Sequence, residues 1–286
     1  MTRPTMEITT MIGCPLRCTF CPQDALTSAY GKTSKSEKYM QFSDYETMLA
    51  KIPKHVQIDF AGMSEPWANP ACTKMLQHTL ECGYRTSIYT TLYGMSIADS
   101  AYITNELLPK YEKQIEIIVL HLPDANGNMR GYKGSEQYRT VLQNFGNAHS
   151  FLGNRLAAMT MDRTGRVHPT LQDIVPRLAA WQGHTRAGTL GEEQAKKVGA
   201  SATPRKEGRV KCSQTDFFDH NVLLPSGEVV LCCMLYDMSK ILGNLLVQDY
   251  WELFESPVLT QLRIANQKPG WSKDSPCKSC DCSVEI

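Results

Sequence analysis

Three cysteines stand within eight residues of one another near the start of the chain. They lie in the run Gly13-Cys14-Pro15-Leu16-Arg17-Cys18-Thr19-Phe20-Cys21-Pro22, a C-x3-C-x2-C spacing. Three thiolates on one short loop can hold three irons of a cubane iron–sulfur cluster, leaving the fourth iron open to an outside ligand. Closed coordination marks a structural site and an open position marks a reactive one. The alternative is a zinc knuckle. Zinc sites pair C-x2-C units with a second ligand pair close by, and between Cys21 and Cys72 the only His or Cys is His55.

A second group gathers at the other end. Cys212 and Cys232 flank a short apolar segment, and Cys277-Lys278-Ser279-Cys280-Asp281-Cys282 closes the chain. Four thiolates from Cys212, Cys232, Cys277 and Cys280 would close a cubane cluster completely. The same four would also satisfy a structural zinc ion, and Cys282 could take the place of Cys280. Cys233 is not needed for either count. If Cys232 and Cys233 lie on a strand they face opposite ways, so Cys233 would point away from the metal. Cys72 and Cys82 share a predicted helix and read as packing residues.

The 286 residues suffice for one large domain, or one domain and a small annex. With 42% hydrophobic and 21% charged residues and a net charge of +1, the composition is that of an ordinary globular protein. Near-neutral charge gives no basic surface for nucleic acid. The densest basic group, Arg205, Lys206, Arg209 and Lys211, reads as a solvated linker. No apolar run approaches the roughly twenty residues of a membrane helix. Met1–Ile12 lacks the apolar core of an export signal. Eleven cysteines gathered mostly into two groups then favour metal ligation in a reducing cytoplasm over disulfides.

The elements that must position these thiols alternate. Met6–Ile12 reads as a strand feeding the first cysteine loop. Ser43-Asp44-Tyr45-Glu46 has capping-box form and opens a helix to about Ile52. Val56–Ala61 is a strand, Pro70–Cys82 a helix stopped by Gly83, Tyr84–Thr90 a strand and Ile97–Lys110 a helix. Ile115–Leu122 is a nearly continuous apolar strand of the kind parallel sheets use. Ser135–His149 reads as helix, Arg155–Met161 as strand, Leu171–Trp181 as helix and His184–Leu190 as a possible sixth strand. The alternation predicts an α/β fold with a parallel sheet of five or six strands, too few for a closed eight-stranded barrel. Residues 1–190 form this core and 191–207 a linker. Residues 208–286 are a second unit, built on a hairpin around Pro225-Ser226-Gly227-Glu228 and two short helices near 249–255 and 257–267.

The first cysteine run, with Phe20 as the aromatic before the last Cys, resembles the signature loop of the radical S-adenosylmethionine (SAM) enzymes. That resemblance implies a partial (β/α)6 TIM-like barrel and a 4Fe-4S cluster on Cys14, Cys18 and Cys21. It also implies SAM chelated by the open iron, and an external reductant of flavodoxin or ferredoxin type. In this family the reduced cluster cleaves SAM to a 5′-deoxyadenosyl radical that takes hydrogen from the substrate. Gly62-Met63-Ser64-Glu65-Pro66 resembles the family's Gly-Gly-Glu-Pro segment, which meets the SAM amino group. It departs from the pattern in that Met63 and Ser64 separate Gly62 from Glu65. By the same resemblance Thr90 and Thr91 end the next strand where hydroxyls meet the ribose or carboxylate of SAM. Barrel strands carry their chemistry at their C-terminal ends, which makes His121, Asp124 and Asp162 candidates too, together with Arg163.

The C-terminal cysteines, with the run Leu224–Cys233 and Pro276–Cys280, resemble the Twitch and SPASM auxiliary iron–sulfur modules, with one second 4Fe-4S cluster. By length and spacing the chain resembles 2-deoxy-scyllo-inosamine dehydrogenase and the aminoglycoside epimerases. The implied reaction is radical hydrogen abstraction from a sugar or aminocyclitol, ending in dehydrogenation or epimerisation. In the epimerases a cysteine thiol quenches the substrate radical, which makes Cys233 a candidate hydrogen donor, against a buried structural thiol. A peptide-modifying SPASM enzyme is the first rival, and a non-catalytic iron–sulfur or zinc scaffold the second.

Overall fold

The computed structural model describes residues 3–33, 38–162, 164–175, 178–180, 183–197, 199–200 and 205–286. The first part of the chain runs β1 (Thr5–Ile8), α1 (Gln23–Thr33), α2 (Phe42–Lys51), β2 (Gln57–Phe60), α3 (Cys72–Glu81), β3 (Thr86–Thr90) and α4 (Ile97–Tyr102). A π-helical turn, Ile103–Leu107, carries α4 into α5 (Leu108–Lys110). Then come β4 (Ile115–Leu122), α6 (Glu136–Leu152), β5 (Leu156–Thr160) and β6 (Ala179–Ala180). Strands β1 to β6 lie side by side in chain order and every neighbouring pair is parallel. This is the parallel sheet expected from the alternation, in the partial (β/α)6 arrangement that the resemblance implies.

The rest of the chain supplies α7 (Glu192–Lys197), β7 (Val210–Cys212), β8 (His220–Leu223), β9 (Glu228–Val230), β10 (Ile241–Asn244), α8 (Pro257–Gln267) and β11 (Ser283–Glu285). Strand β8 pairs parallel with the free edge of β1, Thr5 opposite His220 and Ile8 opposite Leu223. The β8–β9 hairpin and β10 thereby extend the same sheet, in the order β10-β9-β8-β1-β2-β3-β4-β5-β6. The hairpin turn is the one the sequence signals. Gly227 has φ +83°, and a Cβ there would collide with the Asn244 and Leu246 side chains. A separate pair, β7 with β11, places Cys212 opposite Ser283.

Alternation along the strands decides which face meets the cavity and which meets the helices. On β1, Met6 and Ile8 are fully buried in the main core, and on β2 so are Ile58 and Phe60. They pack with Tyr45, Met48 and Leu49 of α2 and Met75, Leu76 and Leu80 of α3. The residues between them, Glu7 and Asp59, turn to the opposite face and stand in register. On β4, Ile118, Leu120 and Leu122 join the core while His121 lines the cavity.

Several elements differ from the sequence reading. Helix α2 begins one residue before the supposed capping box, with Gln41 at its N-cap and no side-chain cap bond, so Ser43 lies inside the first turn. Helix α1 went unread. Where a helix is expected over Leu171–Trp181, the described residues show only the end of a 3-10 turn, Pro169–Leu171. Pro176 lies in its path and cannot donate an i→i−4 bond. Arg163, Trp181 and Pro176 lie outside the described residues. The sixth strand is Ala179–Ala180 and not His184–Leu190, which forms a turn with left-handed φ at Arg186, Ala187 and Gly188. Within the segment read as a linker, α7 forms. Ala195 and Ala200 pack with Leu16, Phe20, Met129 and Met161 against the first cysteine loop.

The C-terminal unit has its own pin. Lys278 is fully buried, and its ammonium donates to the carbonyls of Gly208 (2.9 Å), Lys268 (2.6 Å) and Gly270. All three of its donors are used. Among the described residues no helix is long and apolar enough to cross a membrane.

Candidate active site

The first cysteine loop leaves β1 and re-enters regular structure at α1. Its first helical residue, Gln23, clamps it: the Cys14 N–H donates to Gln23 Oε1 (3.1 Å), while Gln23 Nε2 donates to Cys21 Sγ (3.3 Å) and to the Met63 carbonyl (2.6 Å). One buried amide thus ties the loop to the Gly62–Glu65 segment. On the far side Thr19 bonds Asn128 through side chain (2.6 Å) and backbone (2.9 Å). Asp124 in turn accepts from the backbone of Asn126 and Asn128. The second Asp124 oxygen is buried without a hydrogen-bond partner among the described residues. Asp162 accepts from Asn126 Nδ2 (2.7 Å), so both acids hold the loop that supports the cysteines.

Cys14, Cys18 and Cys21 line one cavity of about 530 Å³ together with Phe20, Gly62, Ser64, Glu65, Thr91 and His121. Burial pushes the Cys14 thiol up to about 11 and the Cys18 thiol well up. The protein alone therefore disfavours thiolates here; a bound cation reverses that preference. Among the described residues no group of three or more His, Cys, Asp or Glu could hold a single metal ion. A cubane cluster takes each thiolate on a different iron.

Gly62 has φ +70°, and a Cβ on it would collide with Thr9 Oγ1, which accepts from the Met63 N–H (3.0 Å). The Glu65 carboxylate is 4% exposed and fully engaged. One oxygen accepts from Thr90 Oγ1 (2.6 Å) and the Trp67 N–H (3.2 Å), the other from the Thr91 N–H and Thr91 Oγ1 (both 2.6 Å). Glu65, Thr90 and Thr91 are thus brought together and bonded to one another. The free polar atom of the segment is Ser64 Oγ, buried without a hydrogen-bond partner among the described residues.

Beyond these lies a polar wall that the sequence reading missed, His121 and Cys233 apart. Burial, and then the neighbouring Asp59, raise the Glu7 carboxyl to about 7. The neighbouring Cys233 side chain, the charge of Arg186 and the Gly62 backbone lower it in part. Burial raises Asp59 too, against hydrogen bonds from Gln57 and Ser87. Burial, and then the charge of Arg186, lower His121 to about 4, which leaves its imidazole neutral. Burial also works against the charge of Arg186, but Tyr236, Cys233, Cys21 and Glu7 outweigh it and keep the guanidinium protonated. The alternations Thr5-Met6-Glu7-Ile8 and Gln57-Ile58-Asp59-Phe60 were the available signal, since an acid facing inward from a parallel sheet needs a reason. Nothing local marks Gln23, Arg186 or Tyr236.

The C-terminal thiols line a second cavity of about 490 Å³, to which Cys212, Cys232, Cys277, Cys280 and also Cys282 contribute. The Cys282 N–H donates to Cys280 Sγ (3.3 Å). Cys232 and Cys233 follow β9 in a turn, not on the strand itself. Cys232 faces the second cavity alone and Cys233 faces both. Glu7, Tyr89, His121 and Arg186 also line both.

Residues 212–281 match the model of SPASM, an iron–sulfur cluster-binding domain. No curated protein matches the chain in sequence. Among solved structures, BtrN in complex with AdoMet and 2-DOIA aligns over 98% of this chain and 94% of its own, at 16% identity and a TM-score of 0.57. SuiB from Streptococcus suis aligns over 98% and 71%, at 14% identity and 0.54. The peptide-bound anSMEcpe with AdoMet aligns over 97% and 86%, at 14% identity and 0.51. The fold is that of the radical SAM enzymes, a partial TIM-like barrel carrying a SPASM-type iron–sulfur module at its C-terminus.

Gly62→Ala should destabilise the protein by roughly 1–3 kcal/mol through left-handed strain and the clash with Thr9. It should also lower iron uptake at the first loop more than at the second. Thermal unfolding and iron analysis of the variant would check both.

Proposed function

We propose that the protein is a radical SAM oxidoreductase that takes hydrogen from a carbon of a small polyhydroxylated substrate, a sugar or an aminocyclitol. One observation carries this reading: two thiol-lined cavities share a single polar wall of Glu7, Tyr89, His121, Arg186 and Cys233. A substrate on that wall would lie between Cys14, Cys18 and Cys21 and the C-terminal thiols. The class of fold and the near end-to-end alignment with the AdoMet- and 2-DOIA-bound structure support the same reading. The peptide-bound anSMEcpe keeps peptide modification as a second reading.

The donor set fits the cofactors of the class. Cys14, Cys18 and Cys21 would hold a 4Fe-4S cluster, and Ser64 Oγ and the Gly62 backbone lie where SAM would sit beside it. Cys212, Cys232 and Cys277, with Cys280 or Cys282, would hold the second cluster. When bound, the first cluster and SAM supply the hydrogen-abstracting radical. Glu65 would then act mainly by locking the ends of β2 and β3 together, since its oxygens are already used. Glu7 is the group placed to take a proton from a substrate hydroxyl, because its carboxyl titrates near neutrality on the shared wall. His121 stays neutral there and can offer a hydrogen bond without adding charge. Cys233, on the same wall as Glu7, is the thiol placed to return a hydrogen atom if the outcome is epimerisation.

Anaerobic reconstitution tests the reading. Wild type should hold about eight irons and a Cys14/Cys18/Cys21→Ala triple variant about four. About four in wild type, none in the triple variant and zinc present would make the C-terminal unit a structural zinc site. SAM that is not cleaved under reducing conditions would leave only a scaffold.

Cys233→Ala separates the two outcomes. It should spare a dehydrogenase but stop an epimerase, while 5′-deoxyadenosine still forms; product analysis by mass spectrometry reads the difference.

Glu7 must be ionised to accept a proton, so turnover should rise as pH increases through about 7. Glu7→Gln should abolish that limb and lower kcat by roughly 10²-fold or more, with SAM cleavage persisting. A pH–rate profile of both proteins provides the check.

A further inference from the structure

Cys21 differs from the other two loop thiols in its surroundings. Gln23 Nε2 donates to its sulfur from the N-terminal side at 3.3 Å. From the C-terminal unit, across 215 residues of sequence, the Tyr236 hydroxyl lies 3.6 Å from the same sulfur. In the metal-free protein the thiol donates to that hydroxyl oxygen. A thiolate bound to iron has no proton to give, so the freely rotating hydroxyl must turn and donate to the sulfur instead. Tyr236 is 3% exposed.

Arg186 stands on the Tyr236 ring, its guanidinium carbon 5.5 Å from the ring centre. The side chain is held there at a cost: Arg186 and Ala187 both adopt left-handed φ, 53° and 52°, although neither is glycine. Arg186 Nε is buried without a hydrogen-bond partner among the described residues. A strained turn thus delivers a fixed, poorly solvated positive charge to the space between Cys21 and Cys233.

We propose that Tyr236, with Arg186 on its ring, sets the reduction potential of the cluster held by Cys14, Cys18 and Cys21. The C-terminal unit thereby controls how readily the N-terminal cluster is reduced. Reduction makes a cluster more negative, and hydrogen bonds to its sulfurs and nearby charge are among the levers on its potential. Both the hydroxyl dipole and the guanidinium favour the reduced form. The proposal rests on the reading of the first loop as a cluster site.

The test is a potentiometric titration, followed by electron paramagnetic resonance, of the anaerobically reconstituted full-length protein. The N-terminal signal is the one missing from the Cys14/Cys18/Cys21→Ala variant. Tyr236→Phe removes only an oxygen atom. It should make that midpoint more negative, by about threefold in the reduction equilibrium, or roughly 28 mV at 59 mV per tenfold for one electron. Iron content and the second cluster's midpoint should not change. Arg186→Gln should shift the N-terminal midpoint the same way and Arg186→Lys should restore it. Should Arg186→Gln fail to fold, Tyr236→Phe decides alone. An unchanged midpoint in Tyr236→Phe, or an equal shift in both clusters, overturns the proposal. A wild type with no more iron than the triple variant would instead overturn the cluster reading on which it rests.

Discussion

The arrangement depends on one constraint, the two-residue period of the strands. Because side chains alternate, β1 and β2 can give Met6, Ile8, Ile58 and Phe60 to a dry interface with the helices. The same strands turn Glu7 and Asp59 inward, opposite one another in register. Two carboxyls side by side in a buried place cannot both ionise cheaply, and their charge must be answered from elsewhere. The answer comes from outside the parallel core: Arg186 from a strained turn, and the Cys233 thiol from the end of the hairpin. This pair of inward-facing acids therefore sits where the two halves of the chain meet.

This also explains why the two thiol groups behave differently as sites. The first loop is gripped on both flanks, by Gln23 toward the Gly62 segment and by the Thr19–Asn128 bonds toward the loop after β4. Its shape is set by the barrel. The second set is assembled from β7, the turn after β9 and the closing turn near Cys277, which no single element holds. Lys278 joins three backbone carbonyls there and ties the chain before Cys212 to the closing turn.

What could be read in the sequence follows from the range of the forces involved. Strand β4 was legible because six of its eight residues, interrupted only by Glu116 and His121, are apolar and leave no competing period. The Ser-Gly hairpin was legible because Gly227 needs a left-handed φ that other residues resist. The cysteine spacings were legible as chemistry, since ligand geometry acts over a few residues. The capping box at Ser43 was misleading: Phe42, partly buried against the core, extends the helix past a good local cap. The helix over 171–181 failed for a converse reason. Leu171, Ile174, Val175 and Leu178 serve the core from turns, and a two-residue strand then runs beside β5. Glu7 looked like one more charged residue, and Arg186 and Tyr236 acquire meaning only from contacts more than thirty residues away.

The parallel pairing of β8 with β1 has a consequence in time. β1 is made first, yet one of its edges has no partner until residues 220–223 exist. At ordinary rates of synthesis that is a delay of roughly ten to forty seconds. During it a strand edge stands open beside three reactive thiols. The barrel can close its helical side early, since β1 to β6 add in chain order. The face that carries Cys14, Cys18 and Cys21 is completed last, when the hairpin docks. Whatever loads metal into this loop meets either an unfinished sheet on the ribosome or a finished protein with its entrance already formed. A chain cut short before residue 220 would expose that edge permanently.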